Sequence, residues 1–124
     1  VKISAHDATM PFDIEQADVV IADVPCSGLG IIGRKNDIKY RLTEEGFENL
    51  VTLQKNILKN VSDYVAPGGT LLYSTCTINP TENEENVQWF LKEHTEYKLE
   101  ESRLFLPGVD ACDGFYYAIL KRNK

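Results

Sequence analysis

Two cysteines in this chain occupy the kind of position where a thiol can do chemistry. Cys26 lies in Asp23-Val24-Pro25-Cys26-Ser27-Gly28-Leu29-Gly30, directly after the apolar run Ala17-Asp18-Val19-Val20-Ile21-Ala22. Cys76 lies in Ser74-Thr75-Cys76-Thr77-Ile78-Asn79-Pro80-Thr81-Glu82-Asn83-Glu84-Glu85, directly after Gly69-Thr70-Leu71-Leu72-Tyr73. A cysteine at the carboxyl end of a strand in an α/β sheet faces the edge where ligands bind. Its thiolate is a strong nucleophile, and a nearby helix N-terminus favours that form. Glu82, Glu84 and Glu85 oppose it if they face the sulfur, so the net sign is open. Taken singly, Cys76 reads equally well as a small buried hydrophobe. Two such cysteines on strands expected to be neighbours, with the Asp23 carboxylate three residues before one of them, favour a shared site.

The elements that must hold these residues follow from pattern. Residues 17–23 form a β-branched apolar run and predict a buried parallel strand, which Pro25 stops. Phe47, Leu50, Val51, Ile57, Leu58, Val61 and Val65 recur at helical spacing, so a crossover helix is expected from residue 43 to about 65, with the Phe47 stripe in the core. Ala66-Pro67-Gly68-Gly69 precedes a strand instead of joining a strand to a helix, and reads as a turn. Asn79 is the expected N-cap and Pro80 the first residue of a second helix to about residue 93, which packs Val87, Phe90 and Leu91 inward and turns Trp89 toward a neighbouring element. A weakly alternating run at residues 1–5 predicts a first strand ending at His6-Asp7-Ala8. Residues 97–101 and 115–121 predict two late strands in an antiparallel hairpin. The result is an α/β architecture with a mostly parallel sheet.

Composition sets bounds on function. The chain has 124 residues, enough for one domain with a modest core, and 43% hydrophobic and 26% charged residues place it among globular proteins. No apolar run approaches the roughly 18 residues that span a bilayer. Three cysteines without a C-x-x-C pair argue against a disulfide scaffold or a zinc site, and Cys112 has no partner at motif spacing. No metal is expected, and a reducing cytoplasm is the expected compartment. The net charge of −6 disfavours general polyanion binding, yet Arg34, Lys35, Lys39 and Arg41 cluster around Tyr40 in a local basic segment. Such runs are most often solvated connections. The chain opens at Val1, without an initiator Met, inside what reads as a strand, which leads us to expect a fragment.

The pair of motifs Asp23-Val24-Pro25-Cys26-Ser27 and Thr75-Cys76-Thr77, with Asp7-Ala8, Asp37-Ile38-Lys39 and Asp113-Gly114-Phe115-Tyr116, resembles the RNA cytosine-C5 methyltransferases, in particular the bacterial Sun/Fmu type that modifies 16S ribosomal RNA. The resemblance covers essentially the whole chain. It implies a Rossmann-like fold dependent on S-adenosylmethionine, here a C-terminal portion lacking the first strands. It implies Cys76 as the nucleophile that adds to cytosine carbon 6, and Cys26 as the thiol that assists release. Asp23 would lie against both cofactor and base, where it can stabilise protonation at ring nitrogen 3. Asp7 and Pro25 would join it at the cofactor. Ser27, Arg34, Lys35, Lys39, Tyr40 and Arg41 would lie along the path of a small-subunit ribosomal RNA, the expected partner of an otherwise monomeric enzyme. The family's glycine-rich cofactor loop, acidic ribose-binding residue and catalytic-side lysine have no counterpart within these 124 residues, so this chain alone is expected to be inactive.

Three other classes fit less well. A cysteine phosphatase needs an arginine six positions after its cysteine, and Arg34 follows Cys26 by eight. A cysteine hydrolase needs a histidine base, and neither His6 nor His94 has supporting context. A non-catalytic RNA-binding or assembly module would have no use for both thiols and Asp23 together. The reversed assignment, with the Pro25-Cys26 thiol attacking as in DNA cytosine methyltransferases, is set aside by the resemblance alone.

Overall fold

A computed structural model describes residues 1–28, 44–110 and 113–124. The described elements are β1 (Ala17–Asp23), α1 (Glu44–Val61), a 3-10 turn (Ser62–Tyr64), β2 (Val65–Thr75), α2 (Glu84–Glu93), β3 (Tyr97–Phe105) and β4 (Phe115–Arg122). They build a four-stranded sheet in the order β1-β2-β4-β3. β1 runs parallel to β2, as a crossover through α1 requires, with Asp23 opposite Ser74. β4 is antiparallel to both β2 and β3. The late strands therefore pair as expected, but of the three described strand pairs only one is parallel. The sheet is mixed where a mostly parallel one was expected.

One face of the sheet carries the core. Leu71 and Tyr73 on β2 and Tyr116, Ala118 and Leu120 on β4 alternate inward and are buried against Ile57 and Leu58 of α1 and Val87 and Phe90 of α2. Trp89 covers the neighbouring helix, with Lys55 Nζ 5.1 Å from its ring centre. The opposite face is less covered: Val19 and Ile21 are 59% and 65% exposed. Among the described residues β1 pairs only with β2, and the apolar run that predicts a buried strand is not covered on this face. A run of β-branched residues specifies extended backbone, but only neighbours determine which faces are covered.

Other boundaries shift for local reasons. Residues 1–5 form no strand and are exposed. The Ala66-Pro67-Gly68-Gly69 segment lies inside β2, not in a turn before it. The β1 register jumps from Ala17 opposite Val65 to Val19 opposite Thr70, so the extra residues bulge out of the ladder. Gly68 takes φ +80°, and a Cβ on Gly69 would lie 2.8 Å from the Ala66 carbonyl oxygen and 2.9 Å from that of Asp18. The first helix ends at Val61 in the 3-10 turn, short of the expected residue 65. Phe47 is half-buried rather than core, and with Val51 and Asn79 it lines a cleft of about 880 Å³. Among the described residues, no helix is long and apolar enough to cross a membrane.

Candidate active site

The parallel pairing of β1 and β2 brings the two cysteine-bearing loops to the same sheet edge. Asp23, the last residue of β1, faces Ser74, and the Ser74 hydroxyl donates to Asp23 Oδ1 at 3.0 Å. The Val24 N–H continues the ladder to the Ser74 carbonyl at 3.1 Å. The thiols stand just beyond, Cys26 two residues after Val24 and Cys76 two residues after Ser74. Cys26 Sγ and Cys76 Sγ are 2.9 Å apart, and the Cys76 N–H donates to Cys26 Sγ at 3.3 Å. The cysteines are free thiols in direct contact. Burial, reinforced by a hydrogen bond from the Cys26 thiol to the Cys76 side chain, pushes the Cys26 thiol well above its ordinary range, so Cys26 keeps its proton at neutral pH.

The helix expected to open at Pro80 begins later. Residues 80–83 make a turn, α2 starts at Glu84, and Asn83 occupies the cap position without a side-chain cap bond. Asn79 instead caps that turn, its Oδ1 accepting from the Thr81 N–H at 3.2 Å. The displaced residues are used to hold the Cys76 loop. Asn83 is buried and spans the cysteine: its Oδ1 accepts from the Thr75 hydroxyl at 2.6 Å, and its Nδ2 donates to the Thr77 carbonyl at 2.9 Å.

Glu82 is fully buried between the loops. Its Oε1 accepts from the Ser27 N–H at 2.8 Å and from Gln54 Nε2 at 3.0 Å. Its Oε2 accepts from the Ser27 hydroxyl at 2.6 Å and from Asn79 Nδ2 at 2.9 Å. Gln54, buried on α1, also donates to the Pro25 carbonyl at 2.8 Å and accepts from Asn86 Nδ2 at 2.9 Å. Pattern reading missed both residues. Glu82 looks like an ordinary first-turn acid. The available signal was Gln54, a polar residue sitting in an otherwise apolar helical stripe, for a buried amide needs partners.

The expected site residues divide accordingly. Asp7, Asp23 and Pro25 line one cleft of about 320 Å³, with an apolar floor from Ala22, Leu53 and Ile57. Asp7 accepts from the Thr9 N–H at 2.9 Å and the Thr9 hydroxyl at 2.7 Å, and these bonds hold its carboxyl below the usual range. Ser27 is buried, and its hydroxyl is committed to Glu82 and to Thr77 Oγ1 at 2.9 Å. Arg34, Lys35, Lys39, Tyr40, Arg41 and Cys112 lie outside the described residues. The arrangement can therefore offer an addressable thiol beside a protonated one, with a carboxylate-rimmed cleft alongside.

Comparison with known proteins gives the same picture independently. The family described as 16S rRNA methyltransferase RsmB/F matches residues 1–121. The chain is 40% identical over 115 residues to ribosomal RNA small subunit methyltransferase B of Vibrio cholerae, covering 88% of this chain and 26% of that protein. It is 36% identical to the probable ribosomal RNA small subunit methyltransferase B of a Synechocystis strain, covering 98% of this chain and 32% of that protein. The chain thus spans about a third or less of the curated relatives it matches. Among solved structures, NSun6 from Pyrococcus horikoshii with SFG superposes with a TM-score of 0.86 at 28% identity, over 99% of this chain and 35% of that one. The N-methyltransferase NodS from Bradyrhizobium japonicum, at 16% identity and a TM-score of 0.58, covers 98% of this chain and 59% of that one, and shares the fold alone. With its sheet, its paired strand-end cysteines and a match from the first residue to the last strand, the chain belongs to the 16S rRNA methyltransferase RsmB/F family.

Proposed function

We propose that this chain carries the thiol half of an enzyme that transfers a methyl group from S-adenosylmethionine to carbon 5 of a cytosine in small-subunit ribosomal RNA. The observation that carries this reading is the contact between Cys26 and Cys76 at the edge where the Asp23 carboxylate also ends its strand. Carbon 5 of cytosine is a weak nucleophile until a group adds to carbon 6. In this proposal Cys76 sulfur bonds carbon 6, placing an electron pair on carbon 5 that accepts the methyl group. Transfer of the carbon 5 proton to a base then re-forms the carbon 5–carbon 6 double bond as the carbon–sulfur bond breaks, its electron pair leaving with the Cys76 sulfur. The motif resemblance gives Cys26 the release role and leaves attack to Cys76. Asp23, restrained by Ser74, would stabilise protonation at ring nitrogen 3.

The cleft bounded by Asp7, Asp23 and Pro25 fits part of the methyl donor, since an apolar floor suits a flat ring and two carboxylates suit hydroxyl or cationic groups. When bound there, S-adenosylmethionine supplies an electrophilic methyl group. Asp7 and Asp23 would orient it, and Pro25 would shield it from water. On sequence grounds Arg34, Lys35, Lys39 and Arg41 would meet RNA phosphate, with Tyr40 stacking on a base.

The test uses the full-length gene product and unmodified small-subunit RNA, comparing wild type with Cys76→Ser and Cys26→Ser. Loss of methyl transfer in the first, and accumulation of an RNA-linked protein in the second, are the expected results. The reverse pattern exchanges the two roles. Full activity in both variants ends the covalent mechanism.

A further inference from the structure

The buried carboxylate of Glu82 is the point at which the two cysteine loops are tied to each other. Ser27 directly follows Cys26, and Thr77 directly follows Cys76. Glu82 accepts both the N–H and the hydroxyl of Ser27, at 2.8 and 2.6 Å, and lies 3.4 Å from the Thr77 hydroxyl. The two hydroxyls meet each other at 2.9 Å, one residue beyond thiols that also meet at 2.9 Å. Gln54 and Asn79 fill the remaining acceptor positions, so the lone pairs of the carboxylate are taken up. Among the described residues no cation pairs with it, and a buried carboxylate so placed persists only when its hydrogen bonds are complete. The chain keeps one here, at the join between its two thiol loops, although a neutral side chain would be easier to bury.

We infer that Glu82 is a positioning residue that sets the separation of the Cys26 and Cys76 thiols by clamping the residue after each. It touches neither sulfur. Its effect on catalysis rests on the function proposed above, but its effect on thiol geometry does not. Glutamine keeps the shape yet turns two acceptor positions into donors. Gln54 Nε2 and the Ser27 N–H stand on one side and Asn79 Nδ2 on the other, so any orientation of the new amide sets donor against donor.

The experiment uses the full-length gene product, wild type and Glu82→Gln, with diamide as oxidant. Each cysteine gives up one hydrogen to the N=N bond of diamide, which becomes a hydrazine as the S–S bond forms. Peptide mapping counts the Cys26–Cys76 disulfide against time, and thermal melts confirm folding. Wild type is expected to cross-link readily and Glu82→Gln about tenfold or more slowly, the loss of effective concentration that follows a released tether. The same variant, with kcat counted per folded molecule, should lose kcat for methyl transfer by a similar factor with KM for the methyl donor unchanged; the count per folded molecule removes the fall in apparent kcat that a smaller folded fraction alone would give. A folded Glu82→Gln protein that cross-links at the wild-type rate overturns the inference, as does a wild type that fails to cross-link. Should Glu82→Gln fail to fold, Ser27→Ala removes the hydroxyl bond on one side of the clamp, leaving the Ser27 N–H bond, and Thr77→Val removes the other side, both leaving the carboxylate. Slower cross-linking in either sustains the inference, and wild-type rates in both overturn it. Because oxidation needs neither RNA nor methyl donor, failure of the proposed function would leave this result readable.

Discussion

Replacing Gln54 by leucine tests whether the polar network is a structural necessity or filler. The side chain is fully buried on α1 and reaches three partners: the Pro25 carbonyl at 2.8 Å, Glu82 Oε1 at 3.0 Å and Asn86 Nδ2 at 2.9 Å. Leucine has nearly the same volume, so cavity formation is a minor effect. The two bonds to neutral groups contribute about 0.5–1.5 kcal/mol each, and the bond to the carboxylate about 1.5–3 kcal/mol. Burying leucine instead returns about 1.5–3 kcal/mol. Partners are not all orphaned: Glu82 Oε1 keeps the Ser27 N–H, and Asn86 Nδ2 keeps Tyr73 Oη and the Glu82 carbonyl, both at 3.2 Å. The net expectation is a loss of about 1–3 kcal/mol, seen as a lower urea midpoint at unchanged m-value in an equilibrium unfolding curve followed by circular dichroism. In a thermal melt, that corresponds to roughly 3–5 °C for each kcal/mol. A variant as stable as wild type, or more stable, would refute the reasoning, because it would show that hydrophobic burial at this position outweighs the three bonds.

Two further outcomes follow from the same geometry. Gly69→Ala should destabilise by about 1–3 kcal/mol in the same urea assay, since the new Cβ would sit 2.8–2.9 Å from two backbone carbonyl oxygens that cannot rotate away; a neutral result would mean the β2 bulge relaxes freely. Stability should hold from neutral pH to about 9, the ordinary Cys value, and then decline, steepening above 10, the ordinary Tyr value. Burial raises the thiol of Cys26 and the phenol of Tyr73, so the folded state keeps protons that the unfolded chain releases, and stability falls as pH rises through that window. Cys26→Ser should remove the earlier part of the decline, which melts at pH 7, 9 and 10.5 would resolve.

What pattern alone revealed was local. A run of β-branched residues set extended backbone at β1 and a short apolar run set it at β2. An apolar stripe from Phe47 to Val61 set α1, and Pro25 marked where β1 stops, whereas the Pro67-Gly68-Gly69 signal fell inside β2. Those signals sufficed to place Cys26 and Cys76 at strand ends, because each depends on residues within a few positions. They misjudged the start of α2, where Pro80 and the acidic residues fit a helix opening equally well on paper. The turn at residues 80–83 is favoured because it lets Glu82 and Asn83 reach buried donors, a long-range gain that no local propensity contains.

The chemistry-bearing residues were thus written into the chain by type and position. That the two thiols touch, that Ser27 turns inward and that Glu82 is buried were settled only by tertiary structure. Each depends on β1 lying beside β2 with Asp23 opposite Ser74, a register fixed by burial across about fifty residues of intervening chain. Periodicity reports which face of an element is apolar. It does not report which element meets it, and the contact between two loops is decided by that meeting.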